Sequence, residues 1–594
     1  MSATDPRAGR AGGTHDATLV LVAAGAAATA LAVVNVGPRV AALAEPGGQH
    51  LPAGPVALAA GVVRGDVDWT TSASIASAAF ATLLVAVLAV GARAWRRSRA
   101  RRARVDRGAR WMAGKRHYGT LLAAQAAEKA RSFGVQDTPG LPIGRALRGG
   151  GMLYMSFEDV SVDICGPRTG KTTSRAIPVI CAAPGAVVAT SNKRDVVDAT
   201  RGVRETGGPV WVFDPQSIVD EQPTWWWNPL TYVTDDVRAE ALADVFISSN
   251  TDPAAKKDAY FDSAGKQLFK QLLLAAALGG KPITEIYLWL SDPKAAQSAV
   301  EILYRHRYPL LATGLEASLG FSDKQRSGLF GTALNYCSFL TNAQAMRWVT
   351  ATHSDRRPHF DPAAFAGGEA KQTLYLVSKE GNGSTGALVT ALTMAVCEAA
   401  EEQAKKLPRG RLTVPMTVVL DEAANVCRWR ELPNLYSHYG SRGVVMLTIL
   451  QSWSQGVEAW GQSGMNKLWS AANVKVYGGG VAETEFLEQL SKLVGDYELP
   501  TTSTTRGSGT RTTQQSTRRD RIFDVADLAS LDRGRFLVLS SGNPPVLAIA
   551  TPWYEPASPY RDAVQTSLDR YEPGKQPPAP TPAANPWITT GAAA

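Results

Sequence analysis

Apolar residues follow two different rhythms along this chain. Residues 17–36 (ATLVLVAAGAAATALAVVNV) and 73–92 (ASIASAAFATLLVAVLAVGA) are uncharged and mostly apolar. Each is long enough to cross a bilayer as a helix, which takes about 20 residues. From residue 150 the pattern changes to short β-rich runs: SVDIC (161–165), GAVVAT (185–190), PVWVF (209–213), TLYLV (373–377) and MTVVL (416–420). VVMLTIL (444–450), NVKVY (473–477), RFLVL (535–539) and VLAIA (546–550) continue the series. Continuous apolar runs of this length suit strands buried on both faces of a sheet with helices on each side, so they predict α/β architecture. Between residues 237 and 350 the runs vanish. Helical stretches such as FDSAGKQLFKQLLLAAAL and PKAAQSAVEILYRH replace them, broken by Gly279-Gly280 and Pro309. An all-helical insertion within the α/β domain is the simplest expectation. After Tyr554 the chain turns to Pro and Ala without periodicity, which predicts a disordered tail.

Charge fixes the expected topology of the apolar pair. Arg93, Arg96, Arg97, Arg99, Arg101, Arg102, Arg104, Arg107 and Arg110 follow the second stretch against one acid, Asp106. The positive-inside rule keeps that flank cytoplasmic. The intervening loop has only Arg39 and Arg64 as cations, and Arg7 and Arg10 hold the N-terminus inside. The expectation is a cell-membrane protein (inner or plasma membrane) anchored by a two-span hairpin, with everything after residue 93 in the cytoplasm. A signal peptide ending at Ala42-Leu43-Ala44 competes, but its apolar region exceeds the usual ~7 to 15 residues. The arginine run suits a topology and anionic-lipid role; nucleic-acid binding is the competing reading.

Composition narrows the class further. The chain has 594 residues, 45% hydrophobic and 19% charged, as expected of an ordered protein with more than one domain. A net charge of +9 favours polyanionic partners without choosing between nucleic acid and lipid. Cys165, Cys181, Cys337, Cys397 and Cys427 lie far apart. That spacing suggests neither a disulfide framework nor a zinc site, and a reduced cytosolic bulk. His353 and His359 make only a weak metal pair.

The strongest chemical signal is GPRTGKTT, residues 166–173, between the strand candidate SVDIC and a helical stretch. This is the setting of a P-loop. Backbone N–H groups of a Gly-rich turn at a helix N-terminus surround phosphate oxygens, so Gly166, Pro167, Arg168, Thr169, Gly170, Lys171, Thr172 and Thr173 form the candidate nucleotide-binding segment. Gly166 and Gly170 permit close approach, Lys171 reaches the β- and γ-phosphates, and the Thr172 hydroxyl binds Mg²⁺. The full pattern puts its first Gly at 165, where this chain has Cys165, so Gly166-Pro167 is left to tighten the turn. A second half of the site appears in VVLDE: Asp421 ends a strand and suits the Mg²⁺ ligand sphere, while Glu422 suits polarisation of the attacking water. An exposed acidic pair opening a helix would give the same letters. Both halves in the correct order favour hydrolysis of a nucleotide.

With these segments the chain resembles the type IV secretion coupling proteins of the TraG/TraD kind, grouped with FtsK-like hexameric DNA motors. The resemblance spans roughly residues 150–555 and rests on GPRTGKTT, TSNKRDVVDATR (190–201), VFDPQ with WNPL, FDSAGKQL (261–268), VVLDEAAN (418–425), SRGVVMLTILQSWSQ (441–455) and RIFDVADLASLDRGRFLVLSSGNPP (521–545). It implies a RecA-like P-loop domain with an inserted all-α domain behind a two-helix transmembrane anchor. The corresponding boundaries are 1–16 cytoplasmic N-terminus, 17–92 hairpin, 93–149 basic juxtamembrane linker, 150–236 and 351–555 nucleotide-binding domain, 237–350 insertion and 556–594 tail. It also implies a homohexamer that hydrolyses ATP with Mg²⁺ at subunit boundaries, receives single-stranded DNA linked to a relaxase, and passes it to components of a type IV secretion channel. Gln451 resembles the family's γ-phosphate sensor, and Arg442 falls in the segment that supplies an arginine finger across the boundary. A strand-end amide and a surface arginine are the structural readings of the same two residues.

Two other functions share part of this pattern. A double-stranded DNA motor of the FtsK type fits the P-loop but not the helical insertion or the closing segments. A non-hydrolysing docking platform would leave intact Lys171, Thr172, Asp421 and Glu422 without use. The polar stretch 501–521, with Arg506, Arg511, Arg518, Arg519 and Arg521 against one acid, reads as a mobile basic loop. It suits either a pore contact to DNA phosphates or a solvated surface. Trp225-Trp226-Trp227 reads as buried aromatic packing rather than a stacking platform for bases.

Overall fold

The computed structural model describes residues 29–43, 50–100, 104–250, 258–368, 370–379, 385–507 and 510–574. The chain divides into two compact units, Met1–Ala103 and Arg104–Ala594.

In the first unit a helix spans Thr71–Ala100, and its portion Thr71–Gly91 is long and apolar enough to cross a membrane. It is the one such segment among the described residues. The first expected span falls partly on an apolar helix at Thr29–Leu43, and residues 17–28 lie outside the described residues. The two helices touch through small residues: a Cβ on Gly37 would lie 1.9 Å from Ser77 Oγ, and that hydroxyl donates to Val33 O at 3.2 Å. Small side chains let helix backbones approach this closely.

The second unit is built on thirteen described strands: β1 (Leu141–Ala146), β2 (Met152–Met155), β3 (Ser161–Ile164), β4 (Val187–Ser191), β5 (Val210–Phe213), β6 (Thr373–Val377), β7 (Met416–Leu420), β8 (Val444–Leu450), β9 (Val474–Tyr477), β10 (Asp496–Gly507), β11 (Thr510–Arg521), β12 (Arg535–Ser540) and β13 (Asn543–Ile549). Eleven form one sheet in the order β2-β1-β13-β12-β9-β3-β8-β7-β4-β6-β5. From β9 to β5 neighbouring strands run parallel, whereas β12, β13, β1 and β2 add an antiparallel flank. Every residue of β3, β4, β6, β7 and β8 is buried, as expected where helices cover both faces.

Between β5 and β6 the longer described elements are helices, from Asp236–Asn250 to Pro362–Gly367, packed in the same compact unit as the sheet. Trp225 and Trp227 are buried, and Trp225 meets Trp211, Phe213, Trp348 and Phe360 at ring distances of 5.3 to 5.9 Å.

Three sequence expectations need correction. The linker 93–149 is folded from residue 104 onward: Asp106 pairs with Arg535 at 2.8 Å, and β1 joins the main sheet between β2 and β13. LPIGRA hides as a strand because Pro and Gly interrupt its apolar run. The tail 556–594 contains a helix, Arg561–Tyr571, docked on the helix Asp195–Glu205. Ser567 Oγ donates to Asp198 O at 2.6 Å and accepts from Gly202 N–H at 2.9 Å. With only Val564 and Ser567 buried, this helix carries too little apolar signal to be read from composition. Residues 575–594 lie outside the described residues. Finally, 501–521 is no loop: β10 and β11 form a two-stranded antiparallel ribbon, its register running from Asp496↔Arg521 to Gly507↔Thr510. β-Branched Thr is a good strand former, and a ribbon without an apolar face gives no hydrophobic alternation to detect.

Candidate functional site

Three adjacent parallel strands deliver the chemistry. β8 lies between β3 and β7, with Ile164 opposite Leu450 and Leu420 opposite Thr448. The residues that leave the carboxyl ends of these strands therefore meet: the phosphate-loop segment after β3, Asp421 and Glu422 after β7, and Gln451 after β8.

The loop after β3 is shaped by backbone as much as by side chains. Arg168 and Gly170 have φ of 61° and 89°, the left-handed backbone from which anion-binding turns are built, before a helix begins at Lys171. Thr169 Oγ1 closes the turn by donating to Gly166 O at 2.8 Å. Gly166 N–H donates to Gly479 O at 2.9 Å, and a Cβ at Gly166 would lie 2.1 Å from Gly480 O, so only glycine fits. The departure at Cys165 is accommodated from across the loop. Its thiol is buried, and a Cβ on Gly478 would lie 2.6 Å from its sulfur, so the missing side chain at 478 makes room for the one at 165. Burial pushes the Cys165 thiol well up, so it packs as an apolar group.

The first helical turn, Thr172–Ala176, is π-wound, a form that clusters at functional sites. Thr172 Oγ1 donates to Asp421 Oδ2 at 3.2 Å, while Asp421 Oδ1 is buried without a hydrogen-bond partner. Burial is the main cause that pushes the Asp421 carboxyl up to about 7; Lys171 opposes the shift and Glu422 adds to it. An orphaned buried carboxylate oxygen beside a hydroxyl fits a hard divalent cation that takes its remaining oxygens from phosphate and water. No cluster of three or more His, Cys, Asp or Glu that could hold a metal occurs among the described residues. His359 Nε2 accepts from Asn228 N–H at 3.1 Å, a structural use.

Glu422 has left-handed backbone, φ 55°, uncommon for a residue other than glycine and typical of strain at functional sites. Its carboxylate is held from two sides: Lys171 Nζ lies 2.5 Å from Oε1, and Gln451 Nε2 donates to Oε2 at 2.7 Å. Thus Lys171, Thr172, Asp421, Glu422 and Gln451 converge. Arg442 does not join them. It ends the helix Leu432–Arg442 at the amino end of β8, with Nη1 donating to Gly410 O at 3.0 Å. The strand between Arg442 and Gln451 is about 20 Å long.

Sequence reasoning missed two supports. Asp163 and Arg175 form an ion pair at 2.6 Å with neither side chain exposed, tying β3 to the helix after Lys171. Arg175 also bonds Pro142 O. The signal was an acid inside the apolar run SVDIC. The second is the Gly478-Gly479-Gly480 run after β9, which cradles the phosphate loop; its signal was three glycines directly after a strand.

With this geometry in place, the comparisons are specific. The family described as the TraM recognition site of TraD and TraG matches residues 415–533. Among solved structures, the bacterial conjugative coupling protein TrwB lacking its first 70 residues, in unbound form, aligns with TM-score 0.51 and 16% identity, covering 69% of this chain and 88% of that one. TrwB in complex with a non-hydrolysable ATP analogue aligns with TM-score 0.50 and 16% identity, covering 67% and 86%. These likenesses establish a shared fold. Comparison with curated proteins finds no match. The segment similar to the TraD and TraG family is the one that carries Asp421, Glu422 and Gln451, and it lies on a fold shared with a conjugative coupling protein.

Proposed function

We propose that this protein is a membrane-anchored ATPase that recruits relaxase-linked DNA and drives its transfer through a type IV secretion channel in conjugation. The observation that carries the motor reading is the convergence of Lys171, Thr172, Asp421, Glu422 and Gln451 where three parallel strands end. The fold shared with a coupling protein crystallised with an ATP analogue supports the choice of nucleotide.

Backbone N–H groups from Arg168 to Thr173 would hold the phosphates, and Thr172 and Asp421 would hold Mg²⁺. Bound Mg²⁺–ATP supplies the phosphoryl group and a charge that offsets what develops on it. Lys171 exchanges its Glu422 partner for β- and γ-phosphate oxygens, which frees the Glu422 carboxylate to accept a proton from the attacking water. Gln451 holds that carboxylate in place. Arg442 lies too far away to act within its own chain, so a finger role for it requires a neighbouring subunit, as in the homohexamer of this reading. The Thr71–Gly91 helix, with a second span over 17–36, supplies the anchor and leaves the motor in the cytoplasm. The TraG/TraD match makes residues 415–533 a candidate surface for a conjugation partner.

The test is ATP turnover by the full chain in detergent, beside Lys171→Ala, without DNA, with single-stranded DNA and with duplex. Turnover that needs Lys171 and rises most with single strands is expected. Preference for duplex would favour an FtsK-type translocase, and absence of turnover by assembled protein a docking platform.

A further inference from the structure

The turn that carries Gln451 is held by a residue from a distant part of the chain. β8 ends at Leu450, and after Gln451 and Ser452 the helix Trp453–Ala471 begins. The first N–H groups of a helix have no partner within it. Ser452 Oγ accepts from Gln455 N–H at 3.2 Å. The Glu483 carboxylate accepts from Trp453 N–H at 2.8 Å and Ser454 N–H at 2.9 Å, and also binds the Ser454 hydroxyl. Gln455 Oε1 completes the turn by accepting from Gln451 N–H at 3.0 Å.

Glu483 ends the segment 478–483, whose first three residues are the glycines against the phosphate loop. Gly478 N–H donates to Ile164 O at 3.0 Å, and Gly479 O accepts from Gly166 N–H at 2.9 Å. One short segment therefore grips the phosphate loop at its start and the Gln451 turn at its end. Gln451 in turn holds Glu422.

We propose that Glu483 is a positioning residue for ATP hydrolysis: it sets the Gln451 turn in register with the phosphate loop, so that Gln451 holds the Glu422 carboxylate in its working orientation. This rests on the ATPase reading. The hydrogen bonds of the Glu483 carboxylate go to Trp453 and Ser454, in the turn that follows Gln451, so its effect on catalysis passes through Gln451. A plain helix cap would instead change stability and leave the catalytic rate alone.

The experiment compares the full-length wild-type chain, Glu483→Ala, Gln451→Ala and the double variant by steady-state ATP turnover, with ADP titration for affinity and thermal melts for folding. Glu483→Ala should lower kcat on the order of 10- to 100-fold, as small misplacements of catalytic groups do. KM and ADP affinity should stay within about twofold, because ground-state binding is not what it serves. Glu483→Gln, which keeps one carbonyl acceptor, should recover part of the rate and guards against a fold-disrupting alanine. In the Gln451→Ala background Glu483→Ala should cost nothing further, as for residues acting as a unit. Losses that multiply in the double variant, an unchanged kcat, or a fall in ADP affinity matching the fall in kcat would each overturn the proposal. A wild-type chain that binds ADP but turns over no ATP would instead refute the ATPase reading on which it rests.

Discussion

The residues that decide whether this site works are partly ones that do no chemistry. Gly166 faces Gly480 O so closely that Gly166→Ala should abolish nucleotide binding, measurable by ADP titration, without any change to Lys171. Gly478 faces the Cys165 sulfur, so Gly478→Ala should overpack the loop and destabilise by about 1–3 kcal/mol. Adding Cys165→Gly should recover most of that loss in a thermal melt; failure to recover would mean that the nearby Phe536 ring, 3.2 Å from the same Cβ, sets the limit. Asp163→Ala leaves Arg175 buried with an unpaired charge, a change that costs about 3–5 kcal/mol. Denaturant unfolding of the Asp163 variant should show that cost even though neither residue faces the phosphates. That Lys171, Thr172, Asp421 and Glu422 come together was legible in the sequence, because a P-loop pattern and an acid pair at a strand end restrict residue type at close spacing. Asp163, Gly478 and Glu483 were not, because their reasons lie in what the fold brings opposite them from elsewhere in the chain.

At the scale of elements, strands of the parallel sheet were legible because burial on both faces leaves an unbroken apolar run. β1 and β2 sit on the antiparallel flank, where Pro142, Gly144 and Arg145 are tolerated and the run is lost. The β10–β11 ribbon was missed for the opposite reason, its sequence carrying no apolar alternation. It pairs with no other strand, so deleting residues 500–517 should leave the melting temperature of the second unit and Lys171-dependent ATP turnover unchanged. Its charge is also less free than composition suggests. Arg518 pairs with Asp520, Arg519 with Glu498 and Arg521 with Glu488, at 2.7, 3.2 and 3.7 Å. Arg506 and Arg511 are register partners near the far end.

For the whole molecule, the first folded segment after residue 103 does not join the strands that carry the site. Asp106 pairs with Arg535 at the start of β12, Gly108 lies against the Phe523 ring, Trp111 stacks on Tyr497 at 4.6 Å, and Ala113 N–H donates to Pro545 O in β13 at 3.3 Å. Asp106→Ala should expose residues 104–113 to limited proteolysis while Lys171-dependent turnover persists. All these attachments fall on the antiparallel flank and the root of the ribbon. If the chain is anchored as proposed, tension arriving from before residue 104 would pass into β12, β13 and the ribbon, with β9 standing between them and β3. On that reading a pull would be felt first at the ribbon root and at β12 and β13, and would reach the phosphate loop only through the Phe536 ring beside Gly478 and the Pro142 carbonyl that Arg175 grips.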